Sequence, residues 1–126
     1  MAKILIVDDS DILRIELRET LEAGGHSVIE GVNGVDGLDK ARSNSDIDLL
    51  ISDVNMPEMD GITMCKAVRA LPQHAGLPMF MLTTEASSEL KAAGKEAGVM
   101  LWIVKPFNRT KITEVVAKVL YMRKAA

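Results

Sequence analysis

The chain has 126 residues, 48% of them hydrophobic, and a formal net charge of −3. This length and hydrophobic fraction are typical of one globular domain that can bury a complete hydrophobic core. We therefore expect a single domain over residues 1–126. The one cysteine, Cys65, excludes an intramolecular disulfide and favours a reducing compartment, so we expect a cytoplasmic protein. The apolar runs are too short for a signal peptide or for the roughly 18 residues of a membrane span, and we expect no membrane association.

The charges are distributed unevenly along the chain. Residues 1–63 carry 14 acidic and 5 basic side chains, whereas residues 85–126 carry 4 acidic and 8 basic ones. This asymmetry argues against general nucleic-acid binding and allows a basic face that meets an acidic partner. An ordinary solvated helix surface explains the same pattern equally well, and composition does not decide between the two.

Apolar runs of strand length alternate with helical patterns along the whole chain. The first predicted helix, Asp11–Ala23, has Ser10 as its cap, and the last begins after the predicted cap Asn108. The other predicted helices are Gly34–Arg42, Asp60–Leu71 and Ser87–Ala97. The predicted strands are Lys3–Val7, Ser27–Val32, Ile47–Ser52, Leu77–Leu82 and Met100–Val104.

This alternation predicts an α/β fold, namely a doubly wound, five-stranded parallel sheet in the order 2-1-3-4-5 with five helices. Ser27–Val32 is the least apolar strand and is predicted to lie at an edge, whereas the other four are predicted to be buried on both faces. Ser87–Ala97 has a poor apolar stripe, and we expect a weakly anchored helix there. His26 and His74 stand in turn-like contexts and are predicted to lie at the surface.

Polar residues stand just past the ends of four predicted strands. They are Asp8 and Asp9 after the first strand, Asp53 after the third, Thr83 and Thr84 after the fourth, and Lys105 after the fifth. Taken singly, each has an ordinary explanation as a turn, cap or surface residue. Because ligands of open parallel sheets bind at the carboxyl ends of the strands, we expect these side chains to converge on one rim.

Three carboxylates crowded at this rim would repel one another. In proteins, such repulsion is commonly offset by a bound hard divalent cation with oxygen ligands. Mg²⁺ is the best candidate because it keeps several waters and bridges to phosphoryl oxygens. With a metal present, Asp53 is expected to attack phosphorus as a nucleophile and form an aspartyl phosphate. Lys105 would contact the same phosphoryl group, and the Thr83 hydroxyl and the backbone N–H after it would donate to it.

The segments that carry this chemistry resemble the receiver domain of two-component response regulators, which has a flavodoxin-like, CheY-like fold. They are residues 4–10 (ILIVDDS), 48–61 (DLLISDVNMPEMDG), 81–85 (MLTTE) and 104–107 (VKPF), and the resemblance spans the whole chain. It implies that Asp53 accepts a phosphoryl group from a histidine kinase and that the chain is a signalling protein rather than an enzyme. It further implies that Mg²⁺ is bound by the side chains of Asp9 and Asp53, by the backbone carbonyl of Asn55, and by Asp8 mostly through water.

The resemblance also implies a switch. Thr83 would swing towards the phosphoryl group, and Trp102, the only tryptophan, would follow it inward. The surroundings of the phosphoryl group would include Thr84, Glu85 and Pro106, and the bond between Lys105 and Pro106 would be cis. Leu101 departs from the family pattern, in which this position is small, and Thr84 stands where alanine is common. We expect Leu101 to crowd the groove into which Trp102 rotates.

Within the family, the chain is similar to single-domain chemotaxis regulators of the CheY type in Asn55, Glu85 and the run Trp102–Phe107, and we expect no output domain. The implied partners of this diffusing monomer are a CheA-like histidine kinase, a flagellar motor switch protein and a phosphatase. Docking is implied on the fourth helix, fifth strand and fifth helix, near Lys91, Lys95, Lys111 and Lys118. A phosphorelay intermediate and a phosphate sink remain open as alternatives.

Two other protein classes share some of these features. A metal-dependent phosphohydrolase of the haloacid-dehalogenase type also forms an aspartyl phosphate, but it keeps a second acid where this chain has Asn55. We retain it as a more distant alternative. A flavodoxin-like cofactor binder needs a hydroxyl- and glycine-rich phosphate loop after the first strand, and here Asp8 and Asp9 would repel an anionic cofactor.

Overall fold

Five apolar segments form a parallel sheet in the order β2-β1-β3-β4-β5 in the computed structural model, which describes residues 2–125. The strands are β1 (Lys3–Val7), β2 (Ser27–Gly31), β3 (Leu49–Ser52), β4 (Met79–Thr83) and β5 (Leu101–Val104). The predicted fold and strand order are confirmed, and four of the predicted strands differ at their ends by one or two residues. β1 and β3 are adjacent in the centre of the sheet, with Val7 opposite Ser52, so the residues that follow them leave the sheet side by side.

Five helices follow the five strands in turn and cover both faces of the sheet. They are α1 (Asp11–Ala23), α2 (Gly34–Ser43), α3 (Gly61–Arg69), α4 (Ser88–Glu96) and α5 (Arg109–Ala125), with a short 3₁₀ turn at Pro72–His74. Side-chain caps set where they begin: Ser10 Oγ accepts from Leu13 N, and Asn108 Oδ1 accepts from Lys111 N at 2.9 Å. Both predicted caps are therefore confirmed.

The alternation of side chains along each strand divides the core into two layers. One layer joins the sheet to α2 and α3 through residues such as Leu50, Met64 and Val68, and the other joins it to α1 and α5. β1, β3 and β4 are buried almost completely. The prediction that β5 is also buried on both faces is wrong, because β5 is the second edge of the sheet and its Val104 is exposed.

The two histidines differ from the surface positions predicted for them. His74 is buried, since the 3₁₀ turn after α3 directs its ring inward, where Nε2 lies 2.7 Å from the carbonyl oxygen of Ala41. Its Nδ1 has no hydrogen-bond partner within residues 2–125. His26 is half-buried, and its Nδ1 accepts from Ala2 N at 3.3 Å. A turn-like sequence therefore does not imply an exposed side chain, because a backbone carbonyl in the core can satisfy an imidazole N–H.

Cys65 lies fully buried in α3, and burial raises the pKa of its thiol to about 12. At pH 8 only about one thiol in ten thousand would be ionised, and the thiolate is the reactive form. We therefore expect no alkylation of the native protein by iodoacetamide at pH 8 over an hour, measured by intact mass. The urea-unfolded chain serves as the control and should be alkylated fully; rapid alkylation of the native chain would contradict the burial of this thiol.

Candidate functional site

The carboxylates predicted to converge do so at the carboxyl ends of β1 and β3. Oxygen atoms of Asp8, Asp9 and Asp53 lie within 4.8 Å of one another. Asp8 is buried, Asp9 is exposed, and the Asp53 side chain is 12% exposed, so the cluster opens to solvent on one side. Asp8 Oδ1 accepts from Ser10 N at 2.8 Å, and Asp53 Oδ1 accepts from Val54 N at 2.7 Å. These local bonds orient two of the three carboxylates.

Lys105 enters the same cluster from the end of β5. Its Nζ lies 3.0 Å from Asp8 Oδ2 and 2.9 Å from Asp53 Oδ2, and it is followed by a cis peptide bond to Pro106. Burial lowers the pKa of Lys105, but its hydrogen bonds with Asp53 and Asp8 outweigh burial and raise the pKa overall. Burial raises the pKa of Asp8 despite the Ser10 and Lys105 hydrogen bonds. The ammonium group therefore stays charged and neutralises part of the acidic cluster.

The end of β4 connects the acidic cluster to the single tryptophan through Glu85. Thr83 is buried, and its Oγ1 accepts from Glu85 N at 3.2 Å, whereas Thr84 is exposed. Glu85 Oε1 accepts from Asn55 Nδ2 at 2.8 Å, and Glu85 O accepts from Trp102 Nε1 at 2.8 Å. One residue thus joins the loop after β3, the end of β4 and the indole of β5.

Trp102 lies against α4 where that helix has a glycine. A Cβ built on Gly94 would come within 2.8 Å of the indole Cζ3, so the missing side chain makes room for the ring. Leu101 packs against the opposite core layer, with α1 and α5. The prediction that Leu101 crowds the groove of Trp102 is therefore wrong, because neighbouring residues of a strand point to opposite faces of the sheet.

The donor set suits a hard divalent cation. All three clustered side chains offer carboxylate oxygens, which Mg²⁺ and Ca²⁺ prefer. In an octahedron with metal–oxygen bonds of about 2.1 Å, ligand oxygens lie roughly 3–4 Å apart, so oxygens within 4.8 Å need only small shifts to share one ion. Lys105 supplies one positive charge to the cluster, which leaves excess negative charge for a cation.

Sequence reasoning missed three residues that shape this site: Arg14, Gly61 and Gly94. Arg14 is buried and donates to the backbone of Asp8, and Gly61 packs against the backbone of Asp53. A signal for Arg14 was present, because it continues the buried stripe of Leu17 and Leu21 on α1, where a charged residue needs a partner. The two glycines gave no comparable signal, since their role depends on which atoms approach them in space.

Comparison with known proteins identifies the family of this chain. The family model for the response regulator receiver domain matches residues 4–117. The chain belongs to that family. Its receiver fold places the acidic cluster, Lys105 and Thr83 on one rim of the sheet.

This receiver domain is similar to chemotaxis proteins along most of its length. It is 40% identical to a CheY homolog of Campylobacter jejuni over 119 residues, which cover 94% of this chain and 92% of the relative. It is 39% identical to CheY1 of Helicobacter pylori, covering 94% of this chain and 96% of the relative. These matches favour a receiver domain closely related to CheY regulators and give no support to the phosphohydrolase alternative.

Solved structures agree with the sequence matches. The receiver domain is similar to Vibrio cholerae CheY4, with 43% identity, a TM-score of 0.89, and coverage of 94% of this chain and 98% of that one. It is also similar to a chain of the CheX–CheY–BeF₃–Mg²⁺ complex of Borrelia burgdorferi, with 27% identity, a TM-score of 0.87, and coverage of 94% and 88%. Among residues 2–125, no helix combines the length and apolar character needed to cross a membrane.

Gly61 begins α3 directly beside the site. A Cβ built there would lie 1.8 Å from Asp53 O, a backbone atom that cannot move without shifting the carboxylate. We expect Gly61→Ala to lower the free energy of unfolding by roughly 2–4 kcal/mol, measured by urea denaturation. Gly76→Ala is the matched control, because a Cβ at Gly76 meets nothing within 4 Å, and it should change stability by less than about 0.5 kcal/mol. Equal stabilities of the two variants would contradict the close packing at Gly61.

Proposed function

We propose that this receiver domain is the phosphorylation switch of a two-component system and that Asp53 accepts a phosphoryl group from a histidine kinase of the CheA type. The observation that carries the proposal is Lys105 Nζ, which lies within 3.0 Å of both Asp8 and Asp53 in a cluster of three carboxylates. A phosphoryl group on Asp53 would meet this ammonium and a bound cation. Both would stabilise the charge that develops on its oxygens.

Each residue of the rim has a place in the proposed transfer. A carboxylate oxygen of Asp53 forms a bond to phosphorus while the bond between phosphorus and the donor's histidine nitrogen breaks, and that nitrogen leaves with the electron pair. Lys105 contacts the transferred group, and Thr83 and the backbone N–H of Thr84 donate to it. The site also needs its charge balanced during transfer. Mg²⁺, when bound, supplies Lewis-acid stabilisation of the phosphoryl oxygens.

We propose that the residues present would hold Mg²⁺ in a receiver-type arrangement. Asp9 and Asp53 would ligate it through carboxylates, Asn55 through its backbone carbonyl, and the buried Asp8 mostly through water. The exposure of Asp9 supports this assignment of ligands, because the open side of the cluster leaves room for the waters that Mg²⁺ retains. Pro106 and Glu85 border the phosphoryl group in this proposal.

The proposed output surface comprises α4, β5 and α5. Its basic residues include Lys91, Lys95, Lys111 and Lys118, which suit an acidic partner segment. By analogy with the chemotaxis proteins named above, we propose a flagellar motor switch protein as that partner in the cytoplasm and a phosphatase as the resetting enzyme. A pull-down with beryllofluoride-activated protein tests this partner. If the protein retains a phosphotransfer domain instead of a motor component, the result would favour a phosphorelay intermediate.

The nucleophile assignment is tested by labelling with acetyl phosphate and Mg²⁺. We expect one phosphoryl group per chain by intact mass, and Asp53→Asn should abolish it because an amide oxygen is a poor nucleophile. Asp39→Asn, which removes an exposed carboxylate of α2, is the control and should label like the native chain. Labelling that persists in Asp53→Asn would show that another residue is the acceptor.

The switch is tested by the emission of Trp102, the only tryptophan. If Thr83 turns towards a phosphoryl group, Glu85 N loses its acceptor, and the loop that holds the indole should shift. We expect beryllofluoride with Mg²⁺ to change the emission of the native protein. Thr83→Val, which keeps the shape of threonine without its hydroxyl, should reduce this change by at least about half. An unchanged response in Thr83→Val would mean that Thr83 does not transmit the signal.

A further inference from the structure

Arg14 is a buried charged residue that lies directly behind the acidic cluster. Its side chain is 10% exposed, and its Nη1 donates to the backbone oxygen of Asp8 at 2.6 Å. Its Nε donates to Glu30 Oε1 at 3.1 Å, and its Nη2 is paired with Asp11. Glu30 lies on β2 and Asp11 begins α1, so one guanidinium ties the end of β1 to two neighbouring elements.

The oxygen that Arg14 binds belongs to the peptide group between Asp8 and Asp9. On the other side of Asp8, its backbone N–H donates to Gly31 O at 3.2 Å. The Asp8 carboxylate is fixed by Ser10 N and Lys105. The orientation of the Asp8–Asp9 peptide group therefore depends on Arg14. That orientation sets the direction in which the exposed Asp9 side chain leaves the backbone.

We propose that Arg14 is a positioning residue that holds Asp9 and Asp8 in the arrangement that binds the divalent cation. The proposal rests on the function proposed above, because it concerns the metal required for phosphoryl transfer. Arg14 acts through the Asp8 carbonyl and touches neither the cation nor the phosphoryl group. Partners that orient metal ligands commonly change metal affinity by roughly 10- to 100-fold when removed. The planar guanidinium suits the task, because its fixed fork reaches a carbonyl and a carboxylate at once.

Arg18 provides a matched control one turn along α1. It also pairs with Glu30, but its backbone contact is to Val28 O, at 3.4 Å, away from the acidic cluster. Removing Arg18 therefore deletes a guanidinium and a Glu30 contact without freeing the Asp8–Asp9 peptide. The comparison of Arg14→Met with Arg18→Met separates positioning of the cluster from general loss of charge on α1.

The test is calorimetric titration of Mg²⁺ into the unphosphorylated full chain. We expect Arg14→Met to weaken Mg²⁺ binding about tenfold or more, and Arg18→Met to change it less than about twofold. Far-ultraviolet circular dichroism and urea unfolding check that each variant is folded. If Arg14→Met does not fold, Arg14→Lys is used instead, because lysine keeps the charge and the aliphatic stem. Arg14→Lys should still bind Mg²⁺ at least about fivefold more weakly than the native chain, because a single ammonium nitrogen replaces the forked guanidinium.

Labelling by acetyl phosphate gives a second readout. We expect Arg14→Met to label slowly at limiting Mg²⁺ and to approach the native rate at saturating Mg²⁺, because only the affinity for the cation is lost. Native-like Mg²⁺ affinity in Arg14→Met, or slow labelling that excess Mg²⁺ does not restore, would overturn the inference. Failure of the native chain itself to bind Mg²⁺ or to label would instead overturn the proposed function.

Discussion

The structure depends on keeping three carboxylates together at the carboxyl ends of two central strands, β1 and β3. Two unit charges 4 Å apart repel by about 4 kcal/mol at an effective dielectric constant of 20, so such a cluster persists only where the fold holds it and a cation offsets it. Lys105 provides that offset from a position 97 residues away from Asp8 and 52 from Asp53. The charge balance of the site is therefore a long-range property, and it exists only when β1, β3, β4 and β5 pair in this register.

The buried centre of the sheet supplies the rigidity that this arrangement needs. β1 and β3 are almost fully buried and pair residue by residue, which leaves Asp8 and Asp53 little freedom to move apart. The close approach of Gly61 to Asp53 O and the Arg14 bond to Asp8 O fix the backbone on both sides. The edge at β5 is different, because its side chains are half-exposed. Burial is thus concentrated at the strands that carry the acids, and the exposed edge is the less constrained part of the sheet.

Local patterns predicted the strands, the helix caps and the residues at the strand ends, because each depends on periodicity or on a short stretch of sequence. The strand order followed from the rules that govern doubly wound parallel sheets. Properties that depend on what approaches from elsewhere were not predictable in this way. His74 was expected at the surface and is buried against Ala41, and Leu101 was expected to crowd Trp102 but faces the other core layer. Arg14 could have been suspected from its place among the leucines of α1, but its contact with Asp8 follows only from the fold.

Glu85 makes contacts both with the site and with the proposed output surface. It accepts from Asn55 beside the acids and from Trp102 beside α4, and its backbone N–H binds Thr83. Under the proposed function, a phosphoryl group that captures the Thr83 hydroxyl would change the free energy of the Trp102 contact. Coupling between two sites is reciprocal, so a partner that prefers one position of Trp102 must change the stability of the phosphorylated state by the same free energy. Output binding and the phosphorylated state are then linked through a single loop residue.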